Sequence, residues 1–243
     1  MTSVEGRVGL VFVSHSSKIA EGLVELAQQM AGATAMAAAG GTDEGGIGTS
    51  FDKVSAAMSE ANDGAGVVVL CDLGSAILTA ETALDFLDDD VRERVLIADA
   101  PVVEGAVAAA VAAQIGGSLQ EVVAAAQSAN VTLEATPGGE AGPSSASSAP
   151  ATAAGGESDE LTTAATTLVN ASGLHARPAA EFVRLASTFD ARITINDVDA
   201  KSLLRIMSLG LGRGKTVALT ASGPDARPAL DALVALIDSG FGE

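Results

Sequence analysis

Apolar residues fall along this chain in short continuous runs separated by stretches of helical periodicity. Val8 to Val13 contains no polar side chain, so it reads as a strand buried on both faces. After it, Ile19, Leu23, Leu26, Ala27 and Met30 recur at the spacing of one helix face, with Ser16 or Ser17 placed to cap it. The alternation continues through a strand at Ala33–Ala39, a Gly-rich loop at Gly40–Gly48 and a helix from about Thr49 to Glu60. Gly66–Cys71 predicts a third strand, Gly74–Leu87 a helix and Arg94–Ile97 a fourth strand, followed by helices near Val102–Ile115 and Ser118–Ala126, the last capped by Ser118. Short apolar strands alternating with helices predict an α/β domain over residues 1–134, a doubly wound, mostly parallel sheet.

The pattern stops at Ala135. Residues 135–160, with Thr136-Pro137-Gly138-Gly139 and Gly142-Pro143-Ser144-Ser145, hold almost no core-forming side chains and predict a flexible linker. A coil of that length spans roughly 5–6 Å × √26, about 28 Å. Residues 161–243 then resume with a strand at Leu161–Val169. A helix from His175 or Ala176 buries Ala179, Phe182, Val183 and Ala186. A strand at Ala191–Ile195, a short helix at Ser202–Met207, a strand at Lys215–Ser222 and a helix opened by Pro224 complete the chain. This order predicts a second domain, an α+β open-faced sandwich.

Composition narrows what such a two-domain chain can do. Of 243 residues 48% are hydrophobic, but there is no Trp or Tyr and only six Phe, too few for base-stacking platforms. A net charge of −18 opposes binding to nucleic acid or an anionic membrane. The charge is uneven: residues 1–134 carry 5 Lys/Arg against 19 Asp/Glu, whereas residues 161–243 carry 8 of each. The two domains therefore present different surfaces to partners. Cys71 is the sole cysteine, so no internal disulfide forms, and its place at the end of an apolar strand predicts a buried thiol. No basic-then-apolar leader is seen, and no apolar run approaches the ~20 residues of a membrane span. A cytoplasmic location is expected.

The chain has two histidines, His15 and His175, and both sit where an apolar strand hands over to a helix. A helix N-terminus presents unpaired N–H groups and the positive end of its dipole, which suits an anion. By itself each could be a plain surface histidine. Around the second, Asn170-Ala171-Ser172-Gly173-Leu174-His175-Ala176-Arg177-Pro178 places a turn-permitting glycine before the histidine and a guanidinium two residues after it. Around the first, three segments converge on one sheet edge: Ser14-His15-Ser16, the loop Gly40-Gly41-Thr42-Asp43-Glu44-Gly45 running on to Thr49, and Asp72-Leu73-Gly74-Ser75. Two histidines in separate domains and one buried cysteine give no metal-ligand cluster, so no metal is expected. Gly212-Arg213-Gly214-Lys215-Thr216 ends like a phosphate-binding P-loop, but position 209 is leucine and the segment enters a strand. It reads as a turn.

The string around His175, with Lys201-Ser202-Leu203-Leu204-Arg205 further on, resembles HPr, the histidine phosphocarrier of the bacterial phosphotransferase system. Residues 5–130 resemble mannose-type EIIA domains, and most closely those of DhaM-type subunits of PEP-dependent dihydroxyacetone kinase. The resemblance implies that His175 takes a phosphoryl group on Nδ1 with Arg177 as phosphate partner. It implies a docking patch of Leu203, Leu204 and Arg205, and a regulatory phosphorylation site at Ser202, for which a plain helix cap is the favoured reading here. His15 becomes the second phospho-acceptor, oriented by Asp72, which could equally cap the following helix. Gly41, Thr42, Thr49 and Ser75 become phosphate contacts. The implied enzyme activity is a PEP–glycerone phosphotransferase relay: PEP, enzyme I acting in trans because the chain ends at Glu243, then His175, His15 and the DhaL subunit. DhaL would hold ADP and Mg and act on dihydroxyacetone bound by DhaK, leaving no cofactor on this chain. A homodimer through the EIIA domain is expected, with no nucleic-acid or membrane partner. The alternatives are an EIIA–HPr component of a mannose-class sugar permease and an HPr-type regulatory binding module.

Overall fold

A computed structural model describes residues 6–134 and 161–242; the expected linker at 135–160 lies outside the described residues. The first domain is a four-stranded sheet in the order β2-β1-β3-β4, every pair parallel. Its strands are β1 (Gly9–Ser14), β2 (Met36–Gly40), β3 (Val67–Cys71) and β4 (Val95–Ala98). The helices are α1 (Ser17–Gln28), α2 (Phe51–Ala61), α3 (Gly74–Asp85), the short α4 (Asp89–Arg92), α5 (Val102–Gln114) and α6 (Leu119–Glu134).

Both faces of the sheet are covered, which is why its strands read as unbroken apolar runs. Leu10, Phe12, Val68 and Leu70 point into a core shared with α1, α5 and α6. Val11, Val13, Val67 and Val69 point the other way, against Val54 and Met58 of α2 and Ala76, Ala80 and Ala83 of α3. The chain leaves β1 to build β2 on one side and later β3 on the other. The strand order therefore reverses at β1, and the carboxyl ends of β1 and β3 flank that switch point.

The second domain is an antiparallel sheet in the order β5-β8-β6-β7, built from β5 (Thr162–Thr167), β6 (Arg192–Ile195), β7 (Val198–Asp199) and β8 (Thr216–Ser222). Helices α7 (Ala176–Ala186), α8 (Leu203–Ser208) and α9 (Ala226–Asp238) accompany it. Ile193, Ile195, Val217 and Leu219 meet Phe182, Ile206, Leu230 and Leu233 in its core. Alternate residues of β5 remain exposed, as an open-faced sheet requires.

Several boundaries differ from those expected. The buried face of α1 is Ala20, Leu23 and Ala27, while Ile19 and Leu26 stay exposed. Pro224 does not open the last helix: α9 starts at Ala226 behind Asp225, and the Asp225 carboxylate accepts the Asp190 N–H at 2.9 Å instead of capping. Ser118 does cap α6, in a reciprocal box in which Glu121 Oε2 takes the Ser118 N–H at 2.7 Å.

The two domains also touch. Helix α5 is apolar on nearly every side, and a helix of that kind must be covered all round. The sheet, α1 and α6 cover most of it. Its remaining face packs on the second domain, where Val107 and Val111 join the core around Phe182 and Leu203, and Leu204 inserts among Ala108, Ala125 and Ala129.

Candidate functional site

Pairing of Val13 with Cys71 puts the residues that follow each strand side by side, so His15 and Asp72 meet at the switch point. Asp72 Oδ1 lies 2.9 Å from His15 Nδ1 and accepts the Leu73 N–H at 2.7 Å. Its Oδ2 accepts the Ser14 hydroxyl at 2.8 Å and the His15 backbone N–H at 2.9 Å. Partial burial pushes the Asp72 carboxyl up, but these donors from His15, Ser14 and Leu73 outweigh it and hold the group below the usual carboxylate range. An ionised carboxylate only accepts, so Nδ1 must carry the ring proton and Nε2 the lone pair. Ser75 Oγ stands 2.7 Å from Nε2 and donates to it.

The side chain of His15 is 21% exposed and that of Asp72 13%, so the ring is seated on the carboxylate with its Nε2 edge toward the exposed Ser75. Ser75 is the second residue of α3. The Gly74 and Ser75 N–H groups precede the first intrahelical bond, on the same turn as the hydroxyl that meets Nε2. Nε2 is thus a poised nucleophile with a hydroxyl and a helix N-terminus beside it. The reading of Asp72 as a helix cap is displaced: Leu73 is the cap residue, and the carboxylate serves His15.

The Gly-rich loop is bonded to itself and to β1. Gly41 N–H is spent on Ser14 O at 3.1 Å and Thr42 N–H on Gly46 O at 3.0 Å, while the Thr42 hydroxyl accepts from Gly46. In this arrangement both backbone donors serve the loop itself. They brace the loop, together with Lys53 Nζ, which donates to Gly40 O and Thr42 O. Gly40 lets β2 approach: a Cβ there would sit 2.6 Å from Ser16 O and Ser17 Cα. Thr49 bonds Thr79 across to α3 at 2.8 Å and fixes the helix that carries Ser75. Ser14, buried beneath the site, escaped sequence reasoning because a serine ending an apolar strand looks like its terminator.

In the second domain His175 is the exposed cap residue of α7, with Pro178 in the first turn. Gly173 has φ +66°, and a Cβ on it would lie 2.1 Å from Leu211 O, so only glycine lets this turn pass under the 209–214 loop. Asn170, also missed from the sequence, is buried and donates from Nδ2 to Gly173 O at 2.8 Å, pinning the turn. His175 Nδ1 lies 3.2 Å from the same carbonyl, a hydrogen bond only when Nδ1 bears the proton. Arg177 is exposed and lines a crevice of about 120 Å³ with Gln29, Met30 and Gln114 of the first domain. Ser202 occupies the cap position of α8 without a side-chain cap bond. Leu203 and Leu204 are 4% and 5% exposed, so the expected docking patch is covered here; Arg205 remains exposed. Among the described residues no group of three His, Cys, Asp or Glu side chains is arranged to hold a metal. No described helix is long and apolar enough to cross a membrane.

Comparison with known proteins agrees with this division. Residues 9–123 match the EIIA-man family model, described as the PTS system fructose IIA component. Residues 162–239 match the PTS-HPr model, the HPr component phosphorylation site. The phosphoryl donor subunit DhaM of PEP-dependent dihydroxyacetone kinase from Klebsiella michiganensis is 38% identical over 244 residues, covering 97% of this chain and 51% of that protein. The chain thus spans about half the length of this relative. A DhaM subunit of dihydroxyacetone kinase 2 from Listeria innocua is 40% identical over 117 residues, 48% of this chain and 94% of its own length. The phosphocarrier protein HPr of Cupriavidus necator is 45% identical over 82 residues, 32% of this chain and 92% of that one.

Proposed function

The chain belongs to the DhaM-type family, in which an EIIA-man domain is fused to an HPr domain, and from that premise we propose that it relays a phosphoryl group between its two histidines to a dihydroxyacetone kinase. The donor is PEP, acting through enzyme I on His175. His15 receives the group and passes it to an ADP-bearing DhaL subunit that serves dihydroxyacetone on DhaK. The observation that carries this reading is the Asp72–His15–Ser75 alignment, which fixes the tautomer and leaves Nε2 as the attacking atom.

The step balances as an exchange between imidazoles. The N–P bond on His175 breaks as one to His15 Nε2 forms, and the donor ring leaves neutral. The accepting ring, still protonated on Nδ1, becomes cationic, and the Asp72 carboxylate offsets that charge. Such transfers proceed through a loose, in-line transition state, so positioning and charge compensation are most of what a protein supplies. On accepting phosphorus, Nε2 gives up the Ser75 hydroxyl, which then donates to a phosphoryl oxygen along with the first N–H groups of α3. The phosphoryl group rides on histidine throughout, and ADP and Mg belong to the partner. On this reading the carrier works in the cytoplasm and pairs through its first domain.

The test is incubation with enzyme I and labelled PEP. Wild type should label on both histidines. His175→Ala should abolish all labelling, and His15→Ala should keep one label that does not pass on to DhaL. Absence of acid-labile label in the wild type would overturn the reading.

A further inference from the structure

The contact between the domains holds the carrier face of the second one away from His15. Helix α1 begins two residues after His15 and runs for 12 residues, a rise of about 18 Å. Arg177, two residues from His175, abuts Gln29 and Met30 at the far end of that helix. In-line transfer needs each nitrogen within about 3–3.5 Å of phosphorus. His175 and His15 are therefore at opposite ends of the first domain, and neither can reach the other while this contact persists.

The same contact covers the surface around His175. Leu204 is enclosed by Ala108, Ala125 and Ala129, and Leu203 lies against the Val107–Val111 face of α5. Charge suits the pairing at one point, where Lys201 of the second domain and Glu121 of the first line the same crevice. The fit is incomplete, however. A crevice of about 570 Å³ remains between α5 and α6 on one side and Val183, Lys201 and Ser202 on the other. Interfaces with such voids lose dispersion contacts and separate readily.

We propose that the α5/α6 face is a parking site for the second domain, a closed state that covers Leu203 and Leu204 and must open before phosphoryl transfer to His15. Opening frees the carrier face both for a donor and for the switch point. This inference rests on the relay reading above, and two readouts keep them apart.

Docking is read without chemistry, from ¹⁵N relaxation of the full chain. The closed state gives both domains one rotational correlation time. Ala125→Arg, a half-exposed position facing the Lys201 side, should give two distinct times. A wild type whose domains already tumble independently overturns the proposal. As a second arm, Ala125→Cys and Ser187→Cys, which line the same crevice from the two domains, are joined by a reducible bis-maleimide cross-linker to lock the contact. The locked chain should lose labelling of His15 at least tenfold and regain it on reduction. A locked chain that labels His15 at the reduced rate overturns the proposal too. If the reduced and wild-type chains label on neither histidine, the relay reading fails while the relaxation result still decides the docking.

Discussion

Asp72 holds His15 twice, through Oδ1 to the ring at 2.9 Å and through Oδ2 to the backbone N–H at 2.9 Å. The ring thus has its height above the sheet and its tautomer set by one side chain. Asp72→Asn keeps the shape, yet its amide can turn an N–H toward Nδ1 and leave the proton on Nε2. Phosphoryl transfer through His15 should fall by about 10²–10⁴-fold, the usual range for a misplaced proton in such chemistry. Rapid-quench transfer from phosphorylated chain to DhaL measures it. Ser14→Ala removes one donor to the carboxylate, about 1 kcal/mol, and should cost no more than about tenfold. A larger loss for Ser14→Ala than for Asp72→Asn would reverse this assignment.

How far the sequence revealed this site depends on whether a feature is local. His15 and Asp72 were legible because unbroken apolar strands put their carboxyl ends on one edge. The loop was not: Gly41 and Thr42 look free in sequence, and only the return of Gly46 and the approach of Ser14 show where their N–H groups go. Leu203 and Leu204 were expected on a docking patch from the resemblance to HPr alone, and the alanines that cover them lie some 75–100 residues earlier on α5 and α6. Short α4 and the two-residue β7 carry too little periodicity to be read at all.

The two histidines should carry phosphorus on different ring atoms. At His15 the Asp72 contact protects Nδ1, which leaves Nε2. At His175 the resemblance to HPr implies Nδ1, which must turn away from Gly173 O before it can accept. One-bond ¹⁵N–³¹P and three-bond ¹H–³¹P couplings distinguish the isomers in the intact chain. An Nδ1 adduct on His15 would contradict the carboxylate geometry.

Alkali should weaken the first domain through Cys71. Burial, with the Asp72 and Glu81 charges adding, pushes its thiol from 9.0 up to about 12. The unfolded chain loses this proton first, so between those values the native state binds more protons and stability falls as pH rises. Asp72 acts in the opposite sense: its lowered value contributes stability above 3.8 that is lost as pH falls through the native value. Urea denaturation at pH 7.5 and pH 10 should show a loss in wild type that is smaller in Cys71→Ala. Equal losses in both would remove the thiol as the cause.

Gly173→Ala tests the turn beneath His175. The new Cβ would meet Leu211 O at 2.1 Å on a backbone with φ +66°. Strain in that region costs about 1–3 kcal/mol before the clash is counted. Calorimetry of the full chain should show the transition of the second domain lowered by several degrees and that of the first little changed. An unshifted second transition would mean the 209–214 loop can withdraw.

Ser202 separates a capping role from a contact role. Its hydroxyl makes no side-chain cap bond to α8, so Ser202→Ala should change stability by less than about 0.5 kcal/mol. The residue does line the crevice opposite Ala108, Ala112, Ala125 and Glu121, a first-domain wall with no cation to receive an added anion, while Lys201 beside it donates to Phe189 O. Ser202→Asp should therefore leave the second domain folded but drive it off the first, because the charge keeps its hydration only if the crevice opens to water. Denaturation reads the first effect and the ratio of domain correlation times reads the second. A large stability loss in Ser202→Ala would restore the cap, and a single correlation time in Ser202→Asp would show that the crevice already admits enough water to solvate the carboxylate.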